Sequence, residues 1–197
     1  FSGDAAEMEK LSQAHYQPAP PHAHVNAFAI KPGDKLYLVD TGTGNLLGSS
    51  LGRVTENMVL AGIDPDQVDT ILLTHLHPDH CGCNQFFTKA RILVRAEELA
   101  AARSADALGA GYLPVEWDHP LNYQAVTDDL DLFGDGAIRL VHLPGHTPGT
   151  MGAVVTLKHS GRFLLAADAV SIRASLDGDI IPKNTWNRDL CRDSFAK

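Results

Sequence analysis

The sequence lacks several features that would each define a class of protein. No apolar stretch approaches the roughly 20 residues that a membrane-spanning helix needs. Its three cysteines, Cys81, Cys83 and Cys191, are too few for a disulfide framework, and two of them are too close in sequence for an ordinary bridge. The chain begins at Phe1, without a signal-peptide pattern. We therefore expect a soluble protein and leave its compartment open between the cytoplasm, the periplasm and the extracellular space.

Basic residues are scarce and scattered. The chain has 16 Lys and Arg against 24 Asp and Glu, for a formal net charge of −8. A nucleic-acid partner calls for Lys and Arg clustered on one surface, so we expect no such partner. With 197 residues, of which 44% are hydrophobic, the chain is long enough for one globular domain and short for two.

Hydrophobic periodicity predicts a mixture of strands and helices. Residues 1–24 are polar and broken by prolines, which is typical of a surface segment. Residues 104–126 are predicted to be irregular and to form either a lid or pocket wall or an ordinary surface loop. Strands are predicted at 25–30, 35–39, 70–74, 90–94, 138–143, 153–157 and 162–166, and helices at 51–61, at 96–103 and from 185 to the last residue.

Four side chains able to bind metal stand within six residues, directly after a predicted buried strand. They are His75, His77, Asp79 and His80. Residues two apart in an extended segment point to the same side, so His75 and His77 can hold one ion. Asp79 and His80 follow a proline that redirects the chain, so they can face a second position. Imidazole suits zinc or iron and a carboxylate adds an oxygen ligand, and we interpret the run as a metal site.

Two further residues of the same kind follow later predicted strands. His146 lies in a Leu-Pro-Gly-His-Thr-Pro-Gly turn, and Asp168 lies at the end of the next strand pair. Either residue alone would be interpreted as an ordinary turn residue. Because a side chain at a strand end is held by the sheet and still reaches a cleft, both become candidate ligands beside the histidine run.

The order of these motifs resembles the metallo-β-lactamase superfamily. The motifs are Val39-Asp40-Thr41-Gly42, the His-x-His-x-Asp-His run, the Pro-Gly-His-Thr-Pro-Gly turn and Asp168, spread over about residues 25 to 175. The resemblance implies an α/β chain folded as a single αββα sandwich, with a dinuclear metal site at one sheet edge. It also implies that His75, His77 and His146 hold one metal, that Asp79 and His80 hold the second, that Asp168 bridges the two and that Asp40 supports the ligand loop.

The resemblance implies two divalent metal ions, with zinc first and iron, manganese or cobalt as alternatives. Members of the dinuclear branch supply one more histidine from a loop after the bridging aspartate, and no histidine follows Asp168 here. We therefore expect a chain that is cut short of the complete fold at both ends. The second metal should then bind weakly, because metal affinity follows the number of ligands.

Two branches of the superfamily are the most similar. The stretch from Asp168 to Lys197 resembles N-acyl-homoserine lactonases, and the stretch from Val25 to Gly82 is also similar to methyl-parathion-hydrolase-like enzymes. The resemblance implies hydrolysis of a lactone or ester. Our mechanistic hypothesis is that hydroxide generated at the metals attacks the carbonyl group and that Asp79 passes a proton to the leaving group. Such lactonases often carry a tyrosine three residues after the bridging aspartate, where this chain has Ser171.

Several alternatives stay open. Within hydrolases they are an organophosphate or aryl-ester hydrolase and a glyoxalase-II-like thioester hydrolase. From other classes they are a mononuclear iron enzyme of the persulfide dioxygenase kind and a non-catalytic relative of the fold. The expected substrate is a small molecule with an apolar acyl or aryl group, and a homodimer is left open. Candidate residues for its pocket are Tyr112, Trp117, Ser171 and Trp186, although burial in the core explains the aromatic ones equally well.

Overall fold

The computed structural model describes residues 10, 13–14, 25–46, 48 and 51–197. Almost all of the predicted N-terminal surface segment, with His15, His22 and His24, lies outside the described residues. In the part of the chain that the structure describes, no helix has the length and apolar character of a membrane-spanning segment.

The first sheet has five strands in the order of the chain. β1 and β2 form the antiparallel hairpin that their closeness in sequence predicts, and β2 to β5 run parallel. The carboxyl ends of the parallel strands therefore meet at one edge of the sheet. The strands are β1 (Phe28–Ile30), β2 (Tyr37–Val39), β3 (Thr70–Leu72), β4 (Arg91–Arg95) and β5 (Asn122–Val126).

The second sheet has four antiparallel strands, also in the order of the chain. The strands are β6 (Leu130–Asp131), β7 (Ile138–His142), β8 (Met151–Leu157) and β9 (Gly161–Leu165). Short connections join them, as is usual for neighbouring antiparallel strands.

Within residues 51–197, six α-helices connect and flank the strands. They are α1 (Val54–Leu60), α2 (Pro78–Cys81), α3 (Ala96–Ala102), α4 (Pro114–Trp117), α5 (Arg173–Asp177) and α6 (Arg188–Phe195). The predicted bounds of the last helix were wrong at both ends. It starts after Asn187, whose Oδ1 accepts hydrogen bonds from the N–H groups of Asp189 and Leu190 and so caps the first turn. It ends at Phe195 and does not run to the last residue.

Two hydrophobic clusters define the layers. Between the sheets, Leu72 and Leu93 of the first sheet pack with Leu140 and Met151 of the second sheet. On the other face of the first sheet, strand residues pack with helix residues, among them Ile71, Ile92, Met58, Leu99 and Trp117. Adjacent residues of β3 thus belong to different clusters, which confirms that this apolar strand is buried on both faces.

The prediction of an irregular segment over residues 104–126 was wrong for its second half. α4 occupies Pro114–Trp117, and Asn122–Val126 form β5 at the edge of the first sheet. Three of the five residues of β5 are exposed, and among the described strands it pairs only with β4. A half-exposed edge strand of this kind carries little hydrophobic signal in the sequence.

Candidate metal centre

The predicted metal ligands and Asp40 lie at one edge of the two sheets, where several strands end. Asp40 directly follows β2, and His75 lies three residues after β3. His146 lies in the turn between β7 and β8, and Asp168 lies in a single 3₁₀ turn after β9. The ends of parallel strands commonly form ligand sites, because the side chains there are held by the sheet and face an open crevice.

Three histidine nitrogens converge on one point. His77 Nδ1 lies 3.2 Å from His75 Nε2 and 3.0 Å from His146 Nε2. Tetrahedral zinc with Zn–N bonds of about 2.0–2.1 Å places its ligand nitrogens about 3.3–3.4 Å apart. The observed separations are a few tenths of an ångström shorter, so a small outward movement of the rings accommodates an ion.

Hydrogen bonds on the far sides of two of these rings determine which nitrogen carries the proton. Thr74 Oγ1 donates its only hydrogen to Asp40 Oδ2 at 2.8 Å, so it accepts a hydrogen bond from His75 Nδ1 at 3.1 Å. The carbonyl oxygen of Ala110 accepts a hydrogen bond from His77 Nε2 at 3.0 Å. Both assignments leave the inward nitrogens, His75 Nε2 and His77 Nδ1, without protons.

Two unprotonated nitrogens 3.2 Å apart repel each other, since neither can donate a hydrogen bond. A cation between them removes that repulsion, and metal-binding histidines generally have their other nitrogen held in this way. The donor set therefore fits a bound metal ion on its chemistry as well as on its spacing.

A second group of ligand atoms adjoins the first. His80 Nε2 lies 3.4 Å from Asp168 Oδ1 and 3.5 Å from Asp79 Oδ2. Asp168 Oδ2 lies 3.5 Å from His146 Nε2. The two oxygens of Asp168 thus face one histidine of each group, which is the arrangement that a bridging carboxylate needs.

Asp40 supports this second group. Its Oδ2 lies 2.7 Å from His80 Nδ1, and its Oδ1 accepts a hydrogen bond from Thr74 N at 2.7 Å. The Asp40 backbone has a φ of +58°, which brings its carboxylate back over the histidine run. Asparagine and aspartate adopt this conformation more readily than other non-glycine residues.

Two of the converging histidines are held in the neutral form. Burial lowers the pKa of His75, and the neighbouring histidines lower it further. Burial likewise lowers the pKa of His146, to about 4. Both rings are therefore neutral at pH 7, and the neutral imidazole is the form that binds a metal.

His80 differs because three carboxylates surround it. Burial disfavours its charged form, but Asp40, Asp168 and Asp79 together outweigh burial and raise the pKa of His80. In return, burial disfavours the charged forms of Asp79 and Asp168, and the contact with His80 outweighs it and lowers the pKa of both carboxyl groups. The second group therefore concentrates negative charge in the absence of a cation, as a site for a divalent ion does.

The candidate pocket residues divide into two buried and two exposed side chains. Trp117 is 2% exposed and packs in the first core cluster, so it belongs to the core and offers almost no surface to a ligand. Tyr112 is equally buried, but its ring lies 5.2 Å from that of His77 and so supports the metal centre from behind. Ser171 is exposed, and so is Trp186, at 57%.

The three cysteines are free and buried. Burial raises the pKa of each thiol. They are therefore protonated at pH 7 and behave as small core side chains.

Some residues that shape the site had no recognisable signal in the sequence. Thr74 and Ala110 orient the rings of His75 and His77, as described above. Glu98 reaches the backbone of the histidine run from α3. Thr74 adjoins the run and could have been suspected, but a main-chain carbonyl from residue 110 and a glutamate on a helix could not.

Comparison with known proteins identifies the family. The sequence matches the metallo-β-lactamase superfamily over residues 20–197, which is most of the chain. The chain belongs to this superfamily. The α/β sandwich, the two sheets and the position of the ligand cluster at their common edge agree with this membership.

The similar proteins of this superfamily include several N-acyl homoserine lactonases. One from Azorhizobium caulinodans is 38% identical over 114 residues, which cover 55% of this chain and 43% of the lactonase. One from Bacillus thuringiensis is 30% identical over 211 aligned positions, covering 89% of this chain and 81% of the lactonase. A crystal structure of a quorum-quenching N-acyl homoserine lactone lactonase superposes with a TM-score of 0.76 at 25% identity, covering 86% of this chain and 71% of that one.

The matches span only part of several relatives. The chain covers 43%, 55% and 62% of the lengths of three of the lactonases that it matches. It therefore spans about half the length of these curated relatives.

Proposed function

We propose that this chain is the catalytic core of a metal-dependent hydrolase that opens the ring of N-acyl homoserine lactones or cleaves a closely related ester. The observation that carries the proposal is the convergence of His75 Nε2, His77 Nδ1 and His146 Nε2. Hydrogen bonds to the other ring nitrogens of His75 and His77 leave the first two of these atoms without protons. The similar proteins named as N-acyl homoserine lactonases support the choice of substrate class.

Two zinc ions are the proposed cofactors. His75, His77 and His146 would hold the first ion, Asp79 and His80 would hold the second, and Asp168 would bind both. When bound, such a pair polarises an ester carbonyl and supplies hydroxide near neutral pH. In the described part of the chain the second position has three candidate ligands, so we expect it to bind more weakly than a position with a fourth.

Asp79 is the proposed proton carrier. Its side chain is 37% exposed, whereas that of His80 beside it is buried, so Asp79 can meet a substrate that approaches the edge of the sheets. Contact with His80 lowers the pKa of Asp79 against the effect of burial, and the carboxylate is therefore ionised at pH 7. An ionised carboxylate can accept a proton and then deliver it to the alkoxide that leaves when the ring opens.

The acyl part of the substrate is proposed to contact Trp186. The backbone N–H of Trp186 donates to the carbonyl of His146 at 3.0 Å, which ties this exposed indole to the ligand loop. Ser171, three residues after Asp168, is the proposed polar contact for the carbonyl group of the substrate. An exposed aromatic side chain beside a polar group suits a molecule with an apolar chain and a polar ring.

The experiment combines metal analysis with hydrolysis assays on the purified chain supplied with Zn²⁺. We expect more than one zinc per chain and ring opening of acyl homoserine lactones in preference to aryl esters. Asp79→Asn should lower kcat by about 10²–10⁴-fold while zinc still binds at the first position. Asp106→Asn, on an exposed loop, is the matched control and should leave kcat unchanged.

Different results would contradict different parts of the proposal. A chain that binds no zinc and turns over no ester is not a hydrolase core. One bound iron without hydrolysis would favour the dioxygenase alternative. A fully active Asp79→Asn variant would show that Asp79 does not transfer the proton, and it would not contradict the proposed metal centre.

A further inference from the structure

We propose that Glu98 is a positioning residue that fixes the two ligand loops of the metal centre relative to each other. The proposal rests on the proposed metal centre but is independent of the substrate. The first loop carries His75 and His77, and the second carries His146. Glu98 lies on α3, outside both loops, and one oxygen of its carboxylate reaches each of them.

The contacts of Glu98 are short and directed. Oε1 accepts a hydrogen bond from Leu76 N, between the two histidines of the first loop, at 2.9 Å. Oε2 accepts one from Thr147 Oγ1 at 2.7 Å and one from Gly149 N at 3.0 Å. Thr147 directly follows His146, and Gly149 lies near the end of the same turn between β7 and β8. The carboxylate is therefore a direct bridge between segments about 70 residues apart.

Burial shows that this bridge is not a surface contact. Glu98 is 0% exposed, and none of the three hydrogen bonds described above comes from a cationic side chain. A buried carboxylate is costly unless hydrogen bonds replace its hydration, and here three donors do so. Because these three donors all belong to the two ligand loops, Glu98 is well placed to position them.

Glycine at position 149 makes the close approach possible. A Cβ atom added to Gly149 would lie 2.4 Å from the backbone nitrogen and from the Cβ of Glu98. The second loop thus lies directly on the first turn of α3. The loop has no room to move toward the helix, and the hydrogen bonds to Oε2 prevent it from moving away.

This arrangement bears directly on the geometry of the first metal position. His77 Nδ1 and His146 Nε2 come from the two loops and lie 3.0 Å apart. A metal ion needs both nitrogens at a fixed distance, and outer residues that orient ligands typically contribute about 10–100-fold to metal affinity. The bridge through Glu98 should therefore contribute to zinc affinity without touching the ion.

Glu98→Gln is the informative variant. Glutamine keeps the size of the side chain but has one accepting oxygen and one donating amide group. It can accept from Leu76 N or from Gly149 N, but the amide group then faces the N–H of the other loop. The variant therefore releases one loop while the side chain still fills its place.

The measurement is the affinity of the full chain for Zn²⁺, by competition with a chromophoric chelator. The visible absorption of bound Co²⁺ is recorded as a readout of ligand geometry. We expect Glu98→Gln to weaken zinc binding by about 10–100-fold and to change the Co²⁺ spectrum. Thr147→Val removes a single hydroxyl from the bridge and should weaken zinc binding by a smaller factor. If Glu98→Gln does not fold, Thr147→Val tests whether the bridge contributes to zinc affinity.

Val155→Ala is the matched control for a general loss of stability. Val155 lies in the core between the sheets, four residues along β8 from Met151, and pairs with Ile138 of β7 and Phe163 of β9. We expect it to lower the melting temperature and to leave zinc affinity and the Co²⁺ spectrum unchanged. Equal weakening by Val155→Ala would show that affinity follows overall stability, and it would overturn the proposal.

The remaining outcomes separate this proposal from the proposed function. Wild-type zinc affinity in a folded Glu98→Gln or Thr147→Val protein overturns the positioning role and leaves the hydrolase untouched. A wild-type chain that binds no zinc overturns both. If the chain binds zinc but opens no lactone, the proposed substrate class is wrong. The zinc affinities of the variants still test the role of Glu98 in that case.

Discussion

The Nδ1 atom of His80 lies 2.7 Å from the Oδ2 atom of Asp40, although the two residues are 40 positions apart in the chain. Because the carboxylate can only accept, His80 Nδ1 carries the proton and Nε2 faces the candidate ligands Asp79 and Asp168. The same oxygen of Asp40 also accepts from Thr74 Oγ1, which in turn accepts from His75. One carboxylate therefore sets the orientation of a histidine in each group.

Replacing this carboxylate should weaken metal binding. An amide in Asp40→Asn can present one oxygen where the aspartate presents two, and it carries no negative charge for His80. We expect zinc affinity to fall by about 10–100-fold. Chelator competition measures it, with Asp34→Asn in the exposed turn after β1 as the control. An unchanged affinity in Asp40→Asn would show that the orientation of His80 does not depend on this contact.

Gly111 is predicted to control the position of His77. Its φ is +92°, and an added Cβ would lie 3.2 Å from His77 Nε2, the atom that donates to Ala110 O. Gly111→Ala should therefore strain the backbone by about 1–3 kcal/mol and shift the His77 ring slightly, which we expect to weaken zinc binding.

Gly109→Ala is the control for Gly111→Ala, because the added methyl group would meet only an ordinary contact of 3.5 Å. Zinc affinity and melting temperature are measured for both variants. Equal behaviour of the two would contradict the argument from the close approach to His77.

Gly145 is predicted to be essential for docking α6 on the loop that carries His146. Its φ is +145°, and an added Cβ would lie 2.4 Å from the Cα of Cys191, which is backbone and cannot rotate away. Gly145→Ala should displace α6 and break the hydrogen bond of 2.8 Å from Ser194 Oγ to Pro144 O. We expect a loss of stability of about 1–3 kcal/mol or more, the range of overpacked sites.

Gly161→Ala separates the contribution of backbone strain to that loss of stability from the contribution of the clash with α6. Gly161 also has a positive φ, +81°, but an added Cβ there would meet nothing within 4 Å. Chemical denaturation of both variants should show the larger loss for Gly145→Ala. If the losses are equal, backbone strain alone explains them and the clash with α6 does not.

The turn between β6 and β7 should carry a measurable pH dependence. Burial raises the pKa of Asp131, but hydrogen bonds from the N–H groups of Phe133, Gly136 and Gly134 outweigh it, so the pKa is lowered in the folded state. A lowered pKa stabilises the fold above the unfolded value of about 3.9. That stabilisation is lost as the pH falls through the folded value.

Asp131→Ala should therefore lower the melting temperature at pH 7, and the difference from the wild type should shrink toward pH 3. Thermal unfolding across this range measures it, with Asp106→Ala as the control for the loss of one exposed charge. A difference that stays constant with pH would mean that Asp131 acts through packing and not through its ionised form.

Elements with a strong apolar signal were predicted from the sequence more accurately than elements without one. β3 was expected as an apolar strand before the histidine run, and Ile71 and Leu72 do face different clusters. β5 was missed, because its exposed positions leave only a weak apolar alternation. The start of α6 was placed too early, because the capping contact of Asn187 depends on the local geometry of the chain.

Residue type and spacing alone determined which side chains could bind metal, because imidazole and carboxylate groups so close together after a buried strand have few other uses. The resemblance implied a supporting role for Asp40, but only the tertiary structure showed which atoms hold the ligand residues in place. From distant parts of the chain, Asp40 reaches His80 at 2.7 Å and Ala110 O reaches His77 at 3.0 Å. Glu98 reaches the backbone nitrogen of Leu76, between two of the histidines, at 2.9 Å. No local pattern encodes such contacts, because they arise only when the sheets and α3 pack and bring these groups to one edge.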